Sequence, residues 1–315
     1  MYTLIGGKTM YFIRRYTKIF LLLITLLPLH SYGMKIIVTG DGATAGESAV
    51  DVSCSLAGEQ SFTSDGSRTI YTSEKSYSAS TSIKLTAPEG KTGFGSFGGI
   101  INFPNCSEAD GRRLVKGDEI WTRVRLYIPS DWEFNSGRNK FLRYRVFNGE
   151  GDNAKSEGYN DLYIDGNPDV RNWQPFHFIF EGDPSWFSMG DESSFFERDA
   201  WTTVEMYLKL DNKKKSEGGD ARVRVWINGL LIGDTGERKT LKTATSYIES
   251  LNFFTYYGNE TSPKNQSIYI DDLIVTTESP LTKDVSGNRY IGLGEPSTRP
   301  TPDHPPIQYF GPKRP

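Results

Sequence analysis

Apolar and polar residues alternate at every second position along most of this chain, and that period limits its fold more than any other feature. Arg222-Val-Arg-Val-Trp-Ile227 places Val223, Val225 and Ile227 on one side and Arg222, Arg224 and Trp226 on the other. Asn228-Gly229 follows at once, then Leu230-Leu-Ile232. Asn-Gly between two such runs predicts a tight hairpin, because both turn positions need a positive φ. The same period sets Val124, Leu126 and Ile128 against Trp121, Arg123, Arg125 and Tyr127. It also sets Val204, Met206, Leu208 and Leu210 against Glu205, Tyr207 and Lys209. Further strands are expected at 68–72, 82–86, 97–103, 140–147, 174–181, 250–257 and 267–276. No helical period runs beyond one turn, and 32 glycines with 13 % aromatics suit strands joined by tight turns. Many short strands without a βαβ rhythm predict an all-β protein, an antiparallel two-sheet β-sandwich. Glu150–Glu157 and Lys213–Gly219 are expected to be loops.

The two ends differ from the middle. Arg14, Arg15 and Lys18 precede an 11-residue apolar run, Ile19–Leu29, and Ser31-Tyr-Gly33 follows. That order predicts a signal peptide over 1–33. The alternative, an uncleaved anchor, would need about 20 apolar residues. The folded domain is expected over 34–279, secreted or periplasmic. Seven of the 16 prolines fall between Pro296 and Pro315, so 280–315 is expected to be an extended or disordered Pro-rich tail. Cys54 and Cys106 both lie in the exported part and are expected to form one disulfide, with two buried thiols as the alternative. A net charge of −3 argues against a polyanion binder acting by bulk field. No nucleotide-binding or nucleic-acid motif is present. The expected state is a monomer that does not associate with a membrane once its signal is removed.

Leu251-Asn-Phe-Phe-Thr-Tyr-Tyr-Gly-Asn259 and Pro263-Lys-Asn-Gln-Ser-Ile-Tyr-Ile-Asp-Asp-Leu-Ile-Val275 resemble the closing strands of concanavalin A-like jelly rolls. Most similar are polysaccharide lyases of the alginate and glucuronan type. Trp226-Ile-Asn-Gly229 and Gly137-Arg-Asn-Lys-Phe141 are also common in that superfamily. The resemblance spans about 115–277. It implies a jelly-roll fold with a sugar groove on the outer face of one sheet. No Glu-x-Asp-x-x-Glu strand is present, which argues against a retaining glucanase, since such an enzyme needs two carboxylates about 5 Å apart.

Sugar recognition needs aromatic faces and polar tips, and an acidic sugar also needs cations. The candidate groove residues are Arg143, Arg145, His177, Tyr207, Lys209, Asn252, Phe254 and Tyr256, or the alternates of the last pair, Phe253 and Tyr257. Arg123, Arg125, Arg222 and Arg224 are read as solvated cations. For β-elimination, Arg143 or Arg145 would neutralise the uronate carboxylate, His177 would be the base, and Tyr256 or Tyr257 the acid. Lys140 or Lys209 could replace one of these. Asp271 and Asp272 suit a structural Ca²⁺, the one cofactor that the sequence allows for. The leading expectation is a secreted polysaccharide lyase acting on an acidic polysaccharide. The alternatives are a non-catalytic lectin-like module and a structural or adhesion sandwich.

Overall fold

A computed structural model describes residues 33–49, 68–91, 97–106, 112–134, 138–165, 174–191, 197–257 and 261–294. Within 34–315 the strands are β1 (Lys35–Val38), β2 (Thr69–Thr72), β3 (Ser82–Ala87), β4 (Gly99–Asn102), β5 (Leu114–Val115), β6 (Glu119–Tyr127), β7 (Asn139–Asn148), β8 (Lys155–Ile164), β9 (Phe176–Phe180), β10 (Asp183–Met189), β11 (Trp201–Lys209), β12 (Arg222–Ile227), β13 (Leu230–Thr235), β14 (Tyr247–Tyr256) and β15 (Gln266–Thr276). They form two antiparallel sheets packed as a β-sandwich of the jelly-roll kind. One sheet has the order β13-β12-β11-β6-β15-β3-β2, with β1 also on β15. The other runs β10-β9-β8-β7-β14-β4, with β5 also on β14.

The core follows the predicted alternation. Val124, Leu126, Val204, Met206, Val223 and Val225 face Leu142, Val146, Leu162, Phe176, Phe178 and Leu251, all buried in one cluster. Two facing sheets bury one side of every strand, which is why period 2 is so legible. Within that apolar layer Tyr144 of β7 and Thr122 of β6 share a buried hydroxyl–hydroxyl bond, which ties the sheets together. Lys213–Gly219 is a loop as expected, with one 3₁₀ turn at Lys215–Glu217 ending on left-handed Gly218. Glu150–Glu157 is only partly a loop, since β8 begins at Lys155.

Bulges interrupt the alternation, two of them beside a non-glycine residue at positive φ. In β14 the register shifts between Phe253 and Tyr256, and Phe254 sits at φ 44°. Gly98 is pressed against this bulge: a Cβ there would lie 2.0 Å from the Phe254 carbonyl oxygen. In β15 the register shifts after Asp271, with Asp272 at φ 46°.

The segment from Pro280 to Gly294 departs from expectation. It folds back on itself through a turn at Asp284–Gly287, with Lys283 bridged to Arg289, and docks on the outer face of the eight-stranded sheet. Trp121 Nε1 donates to the Arg289 carbonyl (3.1 Å), and Trp226 Nε1 to Asp284 (3.0 Å). Tyr290 stacks on Trp226 at 5.7 Å. Arg123 donates to the carbonyls of Gly292 (3.0 Å) and Gly294 (2.7 Å), and Arg125 to that of Leu293. Glu205 accepts the backbone N–H groups of Ile291 and Gly292. Arg123, read from sequence as solvated, is thus 0 % exposed, and Arg125 is buried beside it. Arg222 and Arg224 are half-buried and paired with Asp234. The strap's free backbone groups need partners, and this sheet's charged outer residues supply them. Residues 295–315 lie outside the described residues.

Candidate functional site

The outer face of the seven-stranded sheet carries the densest polar constellation. Three rows of neighbours cross it. Tyr256, Lys140, Tyr163, His177 and Ser188 stand opposite one another on β14, β7, β8, β9 and β10. Asn252, Arg143, Asp161 and Ile179 form the next row, and Ser250, Arg145 and Tyr159 the third. Register alone places Lys140, Arg143, His177 and Asn252 on adjacent strands of one face.

Asp161 is the floor of the middle row. Its carboxylate is fully buried and accepts Arg143 Nε at 2.7 Å, with Lys140 Nζ at 3.1 Å. Arg143 also lies over the Tyr159 ring, 3.9 Å from its centroid. Glu181, in the β9–β10 turn, approaches from the solvent side at 2.9 Å from Lys140 Nζ and 3.6 Å from Arg143 Nη2. Burial alone would lower the Lys140 ammonium, but the Asp161 carboxylate and the Glu181 hydrogen bond together outweigh it and hold the lysine above its usual range. Burial also draws the Asp161 carboxyl upward, against Arg143 and Lys140. The geometry decides the charge state: a carboxyl within hydrogen-bonding distance of both a guanidinium and an ammonium is favoured as the carboxylate, so the pair is read as ionised near neutral pH. Tyr163, pushed up to about 12 chiefly by burial and then by Asp161, stays protonated there.

His177 is buried at the end of the first row. Its Nδ1 is 2.9 Å from Ser188 Oγ, and its Nε2 is 3.2 Å from Asp165 Oδ2. Asp165 follows β8, its backbone N–H bonded to the Pro175 carbonyl, and it also accepts Arg138 Nε at 3.2 Å. The Ser188 hydroxyl at Nδ1 and the Asp165 carboxylate near Nε2 hold the imidazole in place, although Nε2 makes no aligned hydrogen bond. Beside it Trp186 is 44 % exposed, meets Tyr163 edge-on at 5.2 Å and lies under the Arg138 guanidinium at 4.9 Å.

The structure separates the remaining expected residues. Arg145 does lie on this face, over the Phe147 ring at 4.5 Å. Tyr256 stands opposite Lys140 in the backbone register; its side chain lies outside the described residues. Tyr257 does not reach the face: it is buried against Trp132, its hydroxyl donating to the Glu133 carbonyl. Phe254 is also core, because the bulge turns it inward onto Phe141. Tyr207 and Lys209 belong to the other sheet, where Tyr207 packs on Trp121 at 4.9 Å and Lys209 pairs with Asp220 at 3.1 Å. Those two residues cannot share a groove with Arg143.

Asp271 accepts the N–H groups of Tyr77 (3.0 Å) and Ser78 (3.2 Å), and Asp272 the Ser78 hydroxyl (2.9 Å). These carboxylates anchor a loop on the bulge. Among the described residues no group of three His, Cys, Asp or Glu side chains that could hold a metal ion is present. Cys106 is buried; Cys54 lies outside the described residues.

Asp161, Tyr163, Asp165, Glu181, Trp186 and Ser188 were not singled out from sequence. A signal existed for half of them: Tyr159, Asp161, Tyr163 and Asp165 are successive odd positions, hence one face of one strand. Asn160 obscured it as a polar residue facing inward, where its amide donates to the Thr240 carbonyl at 2.9 Å.

The two-sheet jelly roll has solved counterparts among polysaccharide lyases. Alginate lyase Aly36B superposes with a TM-score of 0.53 at 17 % identity, over 77 % of this chain and 96 % of that one. The same values hold for a mutant of that lyase in complex with an alginate tetrasaccharide. Endo-β-1,4-glucuronan lyase from the fungus Trichoderma reesei gives 0.48 at 12 % identity, over 74 % and 94 %. At such identities the likeness establishes the fold. No protein-family model matches the chain, and no curated protein matches it in sequence.

Proposed function

We propose that this protein is a polysaccharide lyase that cleaves a uronate-containing polysaccharide by β-elimination on the outer face of the seven-stranded sheet. The observation that carries the reading is the single row Lys140–Tyr163–His177–Ser188, flanked by Arg143 and Asn252. It joins cations for a carboxylate, a phenol and an imidazole within adjacent strands. Lys140 and Arg143 stabilise the charge that develops on the uronate when the proton next to its carboxylate leaves. His177 takes that proton at Nδ1, by way of the exposed Ser188 hydroxyl. The electron pair forms the C4=C5 double bond and expels the glycosidic oxygen. Tyr163, protonated at neutral pH, gives that oxygen a proton; Tyr256, opposite Lys140 in the backbone register, is the alternative acid. Arg145 and Trp186 extend the face for neighbouring sugars.

A non-catalytic lectin-like role is the second reading, favoured by one observation: Lys140 and Arg143 are already paired with Asp161 and Glu181. Absorbance near 235 nm, read with alginate, glucuronan and glycosaminoglycans, separates the two. A rise reports the unsaturated uronate of β-elimination. Retarded migration in a polyuronate gel without that rise reports binding alone. Export through residues 1–33 and a Cys54–Cys106 disulfide complete the proposal. The mass of the exported protein, before and after reduction and alkylation, tests both.

A further inference from the structure

The geometry points to Glu181 as a resident carboxylate that holds the place of the substrate's own, so that an acidic sugar binds by displacing it. The inference deepens the proposed function, because it rests on the same site taking a uronate.

Two cations and two carboxylates meet here among the described residues, and the carboxylates are not equivalent. Asp161 lies beneath Lys140 and Arg143 on the central strand β8, 0 % exposed, and cannot leave without leaving both cations buried and uncompensated. Glu181 lies above them, 34 % exposed, in a two-residue turn, held by the end of its side chain. With Asp161 fixed, Lys140 and Arg143 carry one uncompensated positive charge, and Glu181 Oε1 is the oxygen that meets it. A carboxylate arriving from solvent must approach from the side Glu181 occupies. It would make the same charge-assisted bonds with the same two donors. Although burial opposes it, the Lys140 hydrogen bond and charge hold the Glu181 carboxyl below its usual range, so the competitor is charged throughout the neutral range.

The turn is built for such an exchange. Gly158 of β8 sits under it at φ +101°, and a Cβ there would come within 2.8 Å of Glu181 Cβ. The backbone of the turn is therefore seated closely on β8, while the carboxylate tip is free to swing towards solvent. Exchanging one carboxylate for another makes binding weaker than an open cationic pair would give. Neutral sugars bring no charge to these cations and so do not displace Glu181, which leaves their binding independent of it.

The test is titration of wild type and Glu181→Gln with D-glucuronate and with neutral D-glucose, followed by ligand-observed NMR. The expected result is at least about 5-fold tighter glucuronate binding in Glu181→Gln, no change for glucose, and a gain that shrinks with added salt. Glu181→Asp, charged but one methylene shorter, should fall between the two. Equal or weaker glucuronate binding in Glu181→Gln, or none at all, overturns the inference. The absorbance assay fails or succeeds independently: a wild type that cleaves no polyuronate removes the lyase reading while this titration still decides the role of Glu181.

Discussion

Asp161→Asn is the substitution that tests the floor of the site most directly. The amide matches the carboxylate in size, so packing is retained and only the charge is lost. The carboxylate is fully buried, 2.7 Å from Arg143 Nε and 3.1 Å from Lys140 Nζ. Removing one partner of a buried ion pair costs about 3–5 kcal/mol. Glu181 still faces both cations at 2.9 and 3.6 Å, which places the expectation at the lower end, about 3 kcal/mol. For a domain of this size that corresponds to a fall in Tm of about 6–12 °C. Glu181→Gln removes a partly exposed partner and should cost no more than about 1 kcal/mol. Urea and thermal unfolding followed by circular dichroism read both. A loss of under about 1 kcal/mol for Asp161→Asn would mean that Asp161 is protonated in the native protein. That result would refute the charge assignment on which the site rests.

Three further outcomes follow from the same geometry. His177→Ala should abolish turnover at 235 nm, and Asp165→Asn should lower it about 10- to 100-fold while shifting the pH profile, since Asp165 acts only through the imidazole. Unchanged turnover in His177→Ala would dispose of the base assignment. Burial raises Glu205 to about 7, against the N–H groups of Ile291 and Gly292 and the charges of Arg123 and Arg125. Its folded pKa lies above the ordinary glutamate value of 4.5, so the native state holds the proton longer, and stability should fall as pH rises from about 4.5 to about 7 and level off above that. Urea midpoints across that range should show the slope in wild type and lose it in Glu205→Gln. Deleting residues 280–315 should destabilise the domain by at least about 3 kcal/mol and raise the binding of a hydrophobic dye, because Trp121, Trp226, Arg123 and Arg125 lose the strap that covers them.

The sandwich was legible in the sequence because both inner faces obey one local rule. Val223, Val225 and Ile227, then Asn228-Gly229, identify a hairpin from seven neighbouring residues and need no knowledge of distant contacts. Arg143, Lys140, His177 and Asn252 were chosen from sequence and do lie on one face, but Lys140 joins Arg143 there only because a bulge between Lys140 and Leu142 offsets their odd spacing. Alternation does not say to which sheet that strand belongs. Tyr207 and Lys209 obey the same rule and sit on the opposite side of the molecule. Bulges defeat it as well: one extra residue in β14 turns Phe254 into the core, and Tyr257 beyond it is buried. Period and turn chemistry thus determined strands, hairpins and fold class, because these depend on residues a few positions apart. Strand order, register and the strap decided which charges meet. Asp161 reaches Arg143 across 18 residues, and Gly292 and Gly294 reach Arg123 across about 170, distances that only the closed sandwich brings within a hydrogen bond.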